Sequence, residues 1–221
     1  MPHYWSDIKW KKQSLDKSLT KGLETLAKQK IADKCFRESF LILPICKYLE
    51  KIISKNCPDK AVNVLYQGID ESDWFSQKGL ELKHPCVGLL QGAEIWEKAK
   101  EMLILPKVIE KMPDVNFYWA GDGPLRDRVL SELDVYDNFH WLGMLDYPDK
   151  AREFLSEIDV YALITGMDLA PLSLKEAQLM KKPVVATNVG GNPEMMVDGK
   201  TGFLVEKGNP QQLIDKFSLL L

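Results

Sequence analysis

From residue 61 onward, short apolar runs alternate with amphipathic stretches, and this alternation constrains the fold more than any other feature of the chain. The apolar runs are AVNVLY (61–66), CVGLLQ (86–91), VNFYWAG (115–121), NFHWLG (138–143), DVYALIT (159–165), PVVATN (183–188) and GFLV (202–205). Most are continuous rather than alternating, the pattern of strands covered on both faces. Helical periodicity fills the intervals at 94–111, 124–133, 148–157, 173–182 and 210–220. Regular strand–helix alternation predicts an α/β fold, a Rossmann-like doubly wound parallel sheet with right-handed crossovers. Sheets of this kind take ligands at the carboxyl ends of their strands, so functional loops should follow strands directly.

The first 60 residues read differently. SLDKSLTKGLETLAKQKIADKCF is charged and helical by period, FLILP suits a short strand, and CKYLEKIISKN a following helix. One strand and two helices do not make a core alone. The chain therefore divides into 1–60, a partial helical and strand segment, and 61–221, the sheet domain; a helical lid on the main domain is the alternative. The last helix runs to SLLL without a cap, and both ends read as parts of something larger.

A chain of 221 residues with 45% hydrophobic and 28% charged residues can bury an ordinary globular core. A net charge of -3 gives no reason to expect a nucleic acid or an anionic membrane as partner. The longest apolar run, FLILPIC, is too short for a transmembrane segment, and no secretory signal opens the chain. Cys35, Cys46, Cys57 and Cys86 are isolated, no CxxC pair exists, and there are three histidines. Reduced thiols in a cytoplasmic protein are expected, and neither a metal site nor a cofactor.

Three loops have the composition for binding. AGDGPLRD (120–127) follows a strand and opens a helix; Gly121 and Gly123 allow the turn and Pro124 suits the first helical position. It is not a dinucleotide fingerprint, because Arg126 stands where GxGxxG needs its third glycine. NVGGNPEMMVDGKTGFLV (188–205) pairs Gly190 with Gly191 after a strand and puts Glu194 in a helical first turn, as a dipole partner or as a group at a ligand cleft. GMDLAPLSLKEA (166–177) places Asp168 in a loop and Glu176 on the next helix, and the N–H groups of Leu169, Ala170 and Leu172 at its start are placed for a phosphate. On local grounds Asp168 also reads as an N-terminal helix charge and Glu176 as a solvated helix residue. A carboxylate pair is suited to accepting from vicinal hydroxyls.

Taken in order, VNVLYQGID, GAEIWEKAKEML, YWAGDGPLRD, FHWLGML, DLAPLSLKEAQLMKKPVVATNVGGNPE and DGKTGFLV resemble the C-terminal, donor-binding domain of glycosyltransferase family 4, the retaining GT-B enzymes. The resemblance covers roughly residues 60 to 215. It implies that Glu176 holds the ribose hydroxyls of a nucleotide-sugar, and that Asp168, shorter than the family's usual Glu, meets the transferred sugar. Lys98 corresponds to the lysine on the donor diphosphate, while the usual arginine about five residues earlier is replaced within Gln91, Gly92 and Ala93. Leu169, Ala170 and Pro171 occupy the family's glycine-rich turn, and proline offers no N–H there. Gly143 and Met144 correspond to the turn beside the nucleobase, Gly121 and Gly123 to the turn at the cleft floor.

The resemblance implies retaining glycosyl transfer without a metal, with Asp168, Glu176 and Lys98 as the acting side chains. Residues 1–60 then correspond to a remnant of the acceptor-binding domain and its linker. None of His3, His84 or His140 lies where the family's acceptor-side histidine would. A separate chain carrying the acceptor domain is an implied partner, and the complete enzyme is expected in the cytoplasm or peripheral to the membrane's cytoplasmic face. A non-catalytic nucleotide-sugar-binding or partner module is the alternative, followed by a nucleotide-sugar epimerase; a dehydrogenase lacks its fingerprint.

Overall fold

The computed structural model describes residues 19–221. His3 and the SLDKS start of the first helical stretch lie outside the described residues. The chain forms two compact units, one up to Gln67 and one from Gly68 to Leu221.

In the first unit, α1 (Leu19–Glu38) is followed by β1 (Leu41–Ile42), α2 (Lys47–Asn56) and β2 (Ala61–Val62). β1 and β2 pair in parallel, Leu41 opposite Ala61. α2 buries Ile53, and the N–H of Cys57 closes its end on the Ile53 carbonyl at 2.7 Å. The run AVNVLY thus pairs with β1 and not with the main sheet, which places the division after that run rather than before it. Two residues per strand leave the little sheet mostly uncovered, and Phe40 is 95% exposed, with Leu41 and Leu43 also open.

The second unit holds the expected parallel sheet. Its strands are β3 (Cys86–Leu90), β4 (Asn116–Ala120), β5 (Phe139–Gly143), β6 (Val160–Leu163), β7 (Val184–Thr187) and β8 (Phe203–Val205), in spatial order β5-β4-β3-β6-β7-β8. Every pairing is parallel. The chain builds outward from β3 to β5, returns to lay β6 on the other side of β3, and continues to β8. The winding therefore reverses between β3 and β6, and a crevice opens at such a point.

Helices cover both faces. The stretch 94–111 is α3 (Trp96–Ala99), a 3-10 turn over Lys100–Ile104 and α4 (Leu105–Ile109). The tightening precedes Pro106, which cannot donate an N–H to the carbonyl four residues back. α5 (Arg126–Leu133), α6 (Asp149–Glu157), α7 (Leu172–Leu179) and α8 (Pro210–Leu220) complete the layers. Alternate residues of each strand enter opposite cores. Val87, Leu89, Phe117, Trp119 and Val160 pack with Met102, Leu105, Val129 and Phe217 on one face. Cys86, Tyr118, Tyr161 and Leu163 pack with Phe154, Leu155, Leu174 and Ala177 on the other. Burial on both sides is why these strands lack an alternating pattern. The segment after Gly191 forms a single 3-10 turn, Asn192–Glu194, not a longer helix.

Candidate functional site

The crevice at the β3/β6 reversal is a cleft of about 230 Å³. The segment after β3 lines it with Gln91, Gly92, Glu94 and Lys98, and the segment after β6 with Thr165, Asp168, Pro171, Leu172 and Ser173. Both loops leave the carboxyl ends of adjacent strands, as the sheet topology requires.

Lys98 and Asp168 meet across this cleft, Nζ to Oδ2 at 2.9 Å. The Asp168 side chain is 13% exposed and that of Lys98 32%, so water only partly screens the pair. Asp168 Oδ1 accepts from the N–H of Leu169 at 2.8 Å. That N–H was expected to serve a phosphate, but it is engaged by the neighbouring carboxylate. The helix that follows, α7, has Pro171 at its N-cap and no side-chain cap.

Two features hold the Asp168 loop. The N–H of Gly191 donates to the Asp168 carbonyl at 3.0 Å. Gly190 has φ +55°, and a Cβ there would lie 1.8 Å from the same carbonyl oxygen. The paired glycines after β7 are thus a seat for the Asp168 loop, which explains their presence without any ligand. Glu194, half-buried, lies beyond that seat at the end of the 3-10 turn.

Gly121 and Gly123 do not line the cleft; they buttress the loop that does. A Cβ on Gly121 would meet the Gln91 carbonyl oxygen at 2.0 Å, and one on Gly123 would meet the Ala93 backbone at 2.6 Å. The Ala93 N–H donates to the Asp122 carbonyl at 2.9 Å, and the Leu125 N–H to the Ala93 carbonyl at 3.1 Å. Gly143, with φ +73°, accepts from the Gly121 N–H at 2.8 Å, and Met144 beside it is exposed. Arg126 lies over the Trp141 ring, 5.1 Å from its centroid. Together these loops form a continuous wall past the end of β4 and β5.

Glu176 takes a different position from the one its spacing suggested. It is buried, 2% exposed, and does not line the cleft. Tyr147, after β5, donates its hydroxyl to Glu176 Oε1 at 3.0 Å. Burial raises the pKa of Glu176 above the ordinary value, and the Tyr147 hydrogen bond works against that. Tyr161 on β6, fully buried, donates to Ser173 Oγ at 2.7 Å. Its phenol is pushed up by burial and further by the charges of Glu176 and Asp168. Both carboxylates therefore act on the Tyr161 phenol through their charge, one lining the cleft and one buried in the protein.

Sequence reasoning missed two contributors. The side chain of Gln91 bridges the two strands, with Nε2 donating to the Ile164 carbonyl at 2.9 Å and Oε1 accepting from the Ile164 N–H at 3.1 Å. A glutamine at a strand end has no motif to betray it. Lys207 donates to the Gly166 carbonyl at 3.2 Å, and buried Glu101 holds its loop by accepting from the Gly208 N–H. Lys207 lies 41 residues beyond Gly166 in the chain, so no local motif shows this contact.

Comparison with known proteins agrees with this geometry. The family described as Glycosyl transferases group 1 matches residues 86–221, more than half of the chain. An uncharacterised glycosyltransferase of Methanocaldococcus jannaschii is 27% identical over 182 residues, 81% of this chain and 49% of its own length. The N-acetyl-alpha-D-glucosaminyl L-malate synthase of Bacillus anthracis is 28% identical over 176 residues, 74% of this chain and 45% of its own. Anabaena HepE, crystallised in complex with UDP and glucose, superposes with a TM-score of 0.67 at 20% identity, over 84% of this chain and 54% of HepE. The chain spans about half the length of the curated relatives it matches. The fold is that of a Rossmann-like domain of the GT-B type. Among the described residues no helix is long and apolar enough to cross a membrane.

Proposed function

Given that the chain belongs to the Glycosyl transferases group 1 family, we propose that its sheet domain is the nucleotide-sugar-binding half of a retaining glycosyltransferase. The observation that carries this reading is the Lys98–Asp168 pair in the cleft at the sheet's topological switch. A cation and a carboxylate held together there are matched to a diphosphate and a sugar hydroxyl arriving together. On donor binding, Lys98 would leave Asp168 for the departing diphosphate, an electrostatic contribution that grows as charge develops on the leaving oxygen. Asp168 would then accept from the transferred sugar. Glu176 would accept from the ribose hydroxyls once Tyr147 moves off its oxygen. Gly143 and Met144 would border the base, and Lys207 would add a second positive charge at the cleft mouth. No step in this scheme needs a metal.

Residues up to Gln67 would belong to the acceptor side, completed by further sequence or by a separate chain. The exposed Phe40, Leu41 and Leu43 support that part of the reading. The complete enzyme would act in the cytoplasm or at the membrane's cytoplasmic face. A second reading, a non-catalytic nucleotide-sugar-binding module, draws support from the cleft itself: Gln91, Gly92 and Ala93 stand where the resemblance calls for a cation, and Lys98 already has a partner.

Thermal unfolding with UDP-, GDP- and ADP-sugars tests the donor site. A ligand at 100 times its Kd stabilises the fold by about 2.7 kcal/mol. One nucleotide class should raise the Tm, and Lys98→Met should lose most of the shift. No shift with any class would remove the donor-site reading. Binding without transfer after an acceptor-domain chain is added would favour the non-catalytic module.

A further inference from the structure

The opposite end of the same two strands carries a second cluster. His84 and Cys86 flank Pro85 at the start of β3, and Asp159 immediately precedes β6. His84 Nδ1 lies 2.8 Å from Asp159 Oδ2 and 3.7 Å from Cys86 Sγ. All three donor atoms lie within 4.8 Å of one another. The other ring nitrogen, Nε2, is 2.9 Å from Glu157 Oε1. The Cys86 N–H donates to Asp159 Oδ2 at 2.8 Å, which fixes that carboxylate beside the thiol.

We propose that His84, Cys86 and Asp159 form a binding site for a borderline-soft divalent cation, zinc in the first instance, that pins β3 to β6 at their amino ends. Nitrogen, sulfur and oxygen donors in one place are the set such an ion selects, and hard cations such as magnesium do not seek thiolates. Tetrahedral zinc with ordinary bond lengths separates its ligand atoms by roughly 3.3–3.6 Å. The Nδ1–Sγ distance is already close to that. The Nδ1–Oδ2 pair would have to open by about 0.5 Å, losing its hydrogen bond to the metal. Glu157 on Nε2 then becomes the carboxylate that orients a metal-bound imidazole. Asp159 and Glu157 supply two negative charges, against the single positive charge of Lys182, whose Nζ is anchored 2.8 Å from the Ser156 carbonyl. His84 and Asp159 are partly exposed, at 40% and 38% of their side chains, so the ion has an entry path and a water can take the fourth position.

Binding would release the Nδ1 proton and the Cys86 thiol proton to solvent, and affinity would weaken in acid accordingly. Burial holds the free thiol up to about 12, and the ion must overcome this, as a coordinating metal does. The role is structural, since the cluster and the cleft lie at opposite ends of β3. This revises the expectation drawn from cysteine spacing, because the third donor is 73 residues beyond Cys86 and no local motif can show it.

The test is a cobalt titration of the full chain after chelation and dialysis, followed by zinc competition. One cobalt per chain, with a thiolate-to-metal charge-transfer absorption that zinc abolishes, is expected. Cys86→Ser and the half-exposed His84→Gln should each remove that absorption, and Glu157→Gln should weaken binding about tenfold. Cys57→Ser should leave it intact, and zinc but not magnesium should raise the Tm. His84→Gln keeps the test decisive if Cys86→Ser does not fold. Absence of stoichiometric cobalt, or an absorption that persists in His84→Gln, would overturn the proposal.

Discussion

β3 and β6 run side by side and end in two unlike places. At their carboxyl ends the chain leaves in two loops that face a cleft, with Gln91 bridging the strands behind it and the Lys98–Asp168 pair spanning it. At their amino ends the strands begin at a partly exposed cluster in which His84, Cys86, Glu157 and Asp159 bond one another. One end has polar groups whose partners can be exchanged for a ligand's; the other has polar groups that satisfy one another. The sheet topology explains the asymmetry. The winding reverses between these strands, so their carboxyl-end loops diverge and leave room, while their amino ends are approached by α6 and by the segment before β3, which close on them.

The comparison is broken most severely by Gly190→Val. The Cβ would meet the Asp168 carbonyl at 1.8 Å, and φ +55° disfavours a β-branched residue. Overpacking and strain together should cost about 3 kcal/mol, read as a lower urea midpoint, and displace the cleft loop. An unchanged midpoint would show that the glycine pair is not the seat of that loop. At the other end, Asp159→Ala should cost about 2 kcal/mol, because it leaves the fully buried Cys86 N–H without its acceptor. Here the nucleotide-sugar response should survive. If Asp159→Ala instead abolished that response while stability held, the two ends would not be separable in the way described.

Much of this was legible in the sequence. Six of the seven apolar runs are the six strands of the sheet, because two-sided burial writes itself as uninterrupted hydrophobicity. The exception, AVNVLY, has the same composition but extends only two residues as a strand and pairs with β1; composition carries no information on partner. The resemblance located Lys98 and Asp168, and the structure brings them into contact. It also located Glu176, yet not its burial or its bond to Tyr147, since these depend on how the loop after β5 folds over α7. Gln91, Lys207 and the His84 cluster were invisible because each acts through partners far away in the chain.

Glu176 sharpens the contrast within the carboxyl end itself. Its pKa is raised in the folded protein, so the folded chain holds that proton more tightly than the unfolded one. Stability contributed by the group therefore falls as pH climbs from the ordinary glutamic acid value of 4.5 through the raised one, and the penalty is complete above it. Glu176→Gln removes the buried charge. Relative to the parent it should be more stable at neutral pH than at pH 4, less whatever the weakened Tyr147 bond gives back. The same variant should bind nucleotide at least about tenfold more weakly, because a hydrogen bond to a charged acceptor is lost. A stability difference that ignores pH would place the Glu176 carboxylate in water; unaltered binding would take it out of the ribose site.

The smallest effect concerns Glu94. Its carboxylate folds back over Gly92, where a Cβ would lie 2.2 Å from Oε1, and it lines the cleft next to Lys98. An acceptor-only anion at that point opposes an incoming diphosphate. Glu94 is exposed, so water and salt screen the repulsion to a fraction of its close-range value. Glu94→Gln should therefore tighten nucleotide diphosphate binding by only about twofold to fivefold at low salt, and by less as salt rises. Isothermal titration at two ionic strengths reads this directly. A gain that persists at high salt would mean that the carboxylate acts by shape rather than charge. A loss of affinity would mean that Glu94 itself accepts a donor hydroxyl, and that the cleft uses one carboxylate on the β3 side and one on the β6 side.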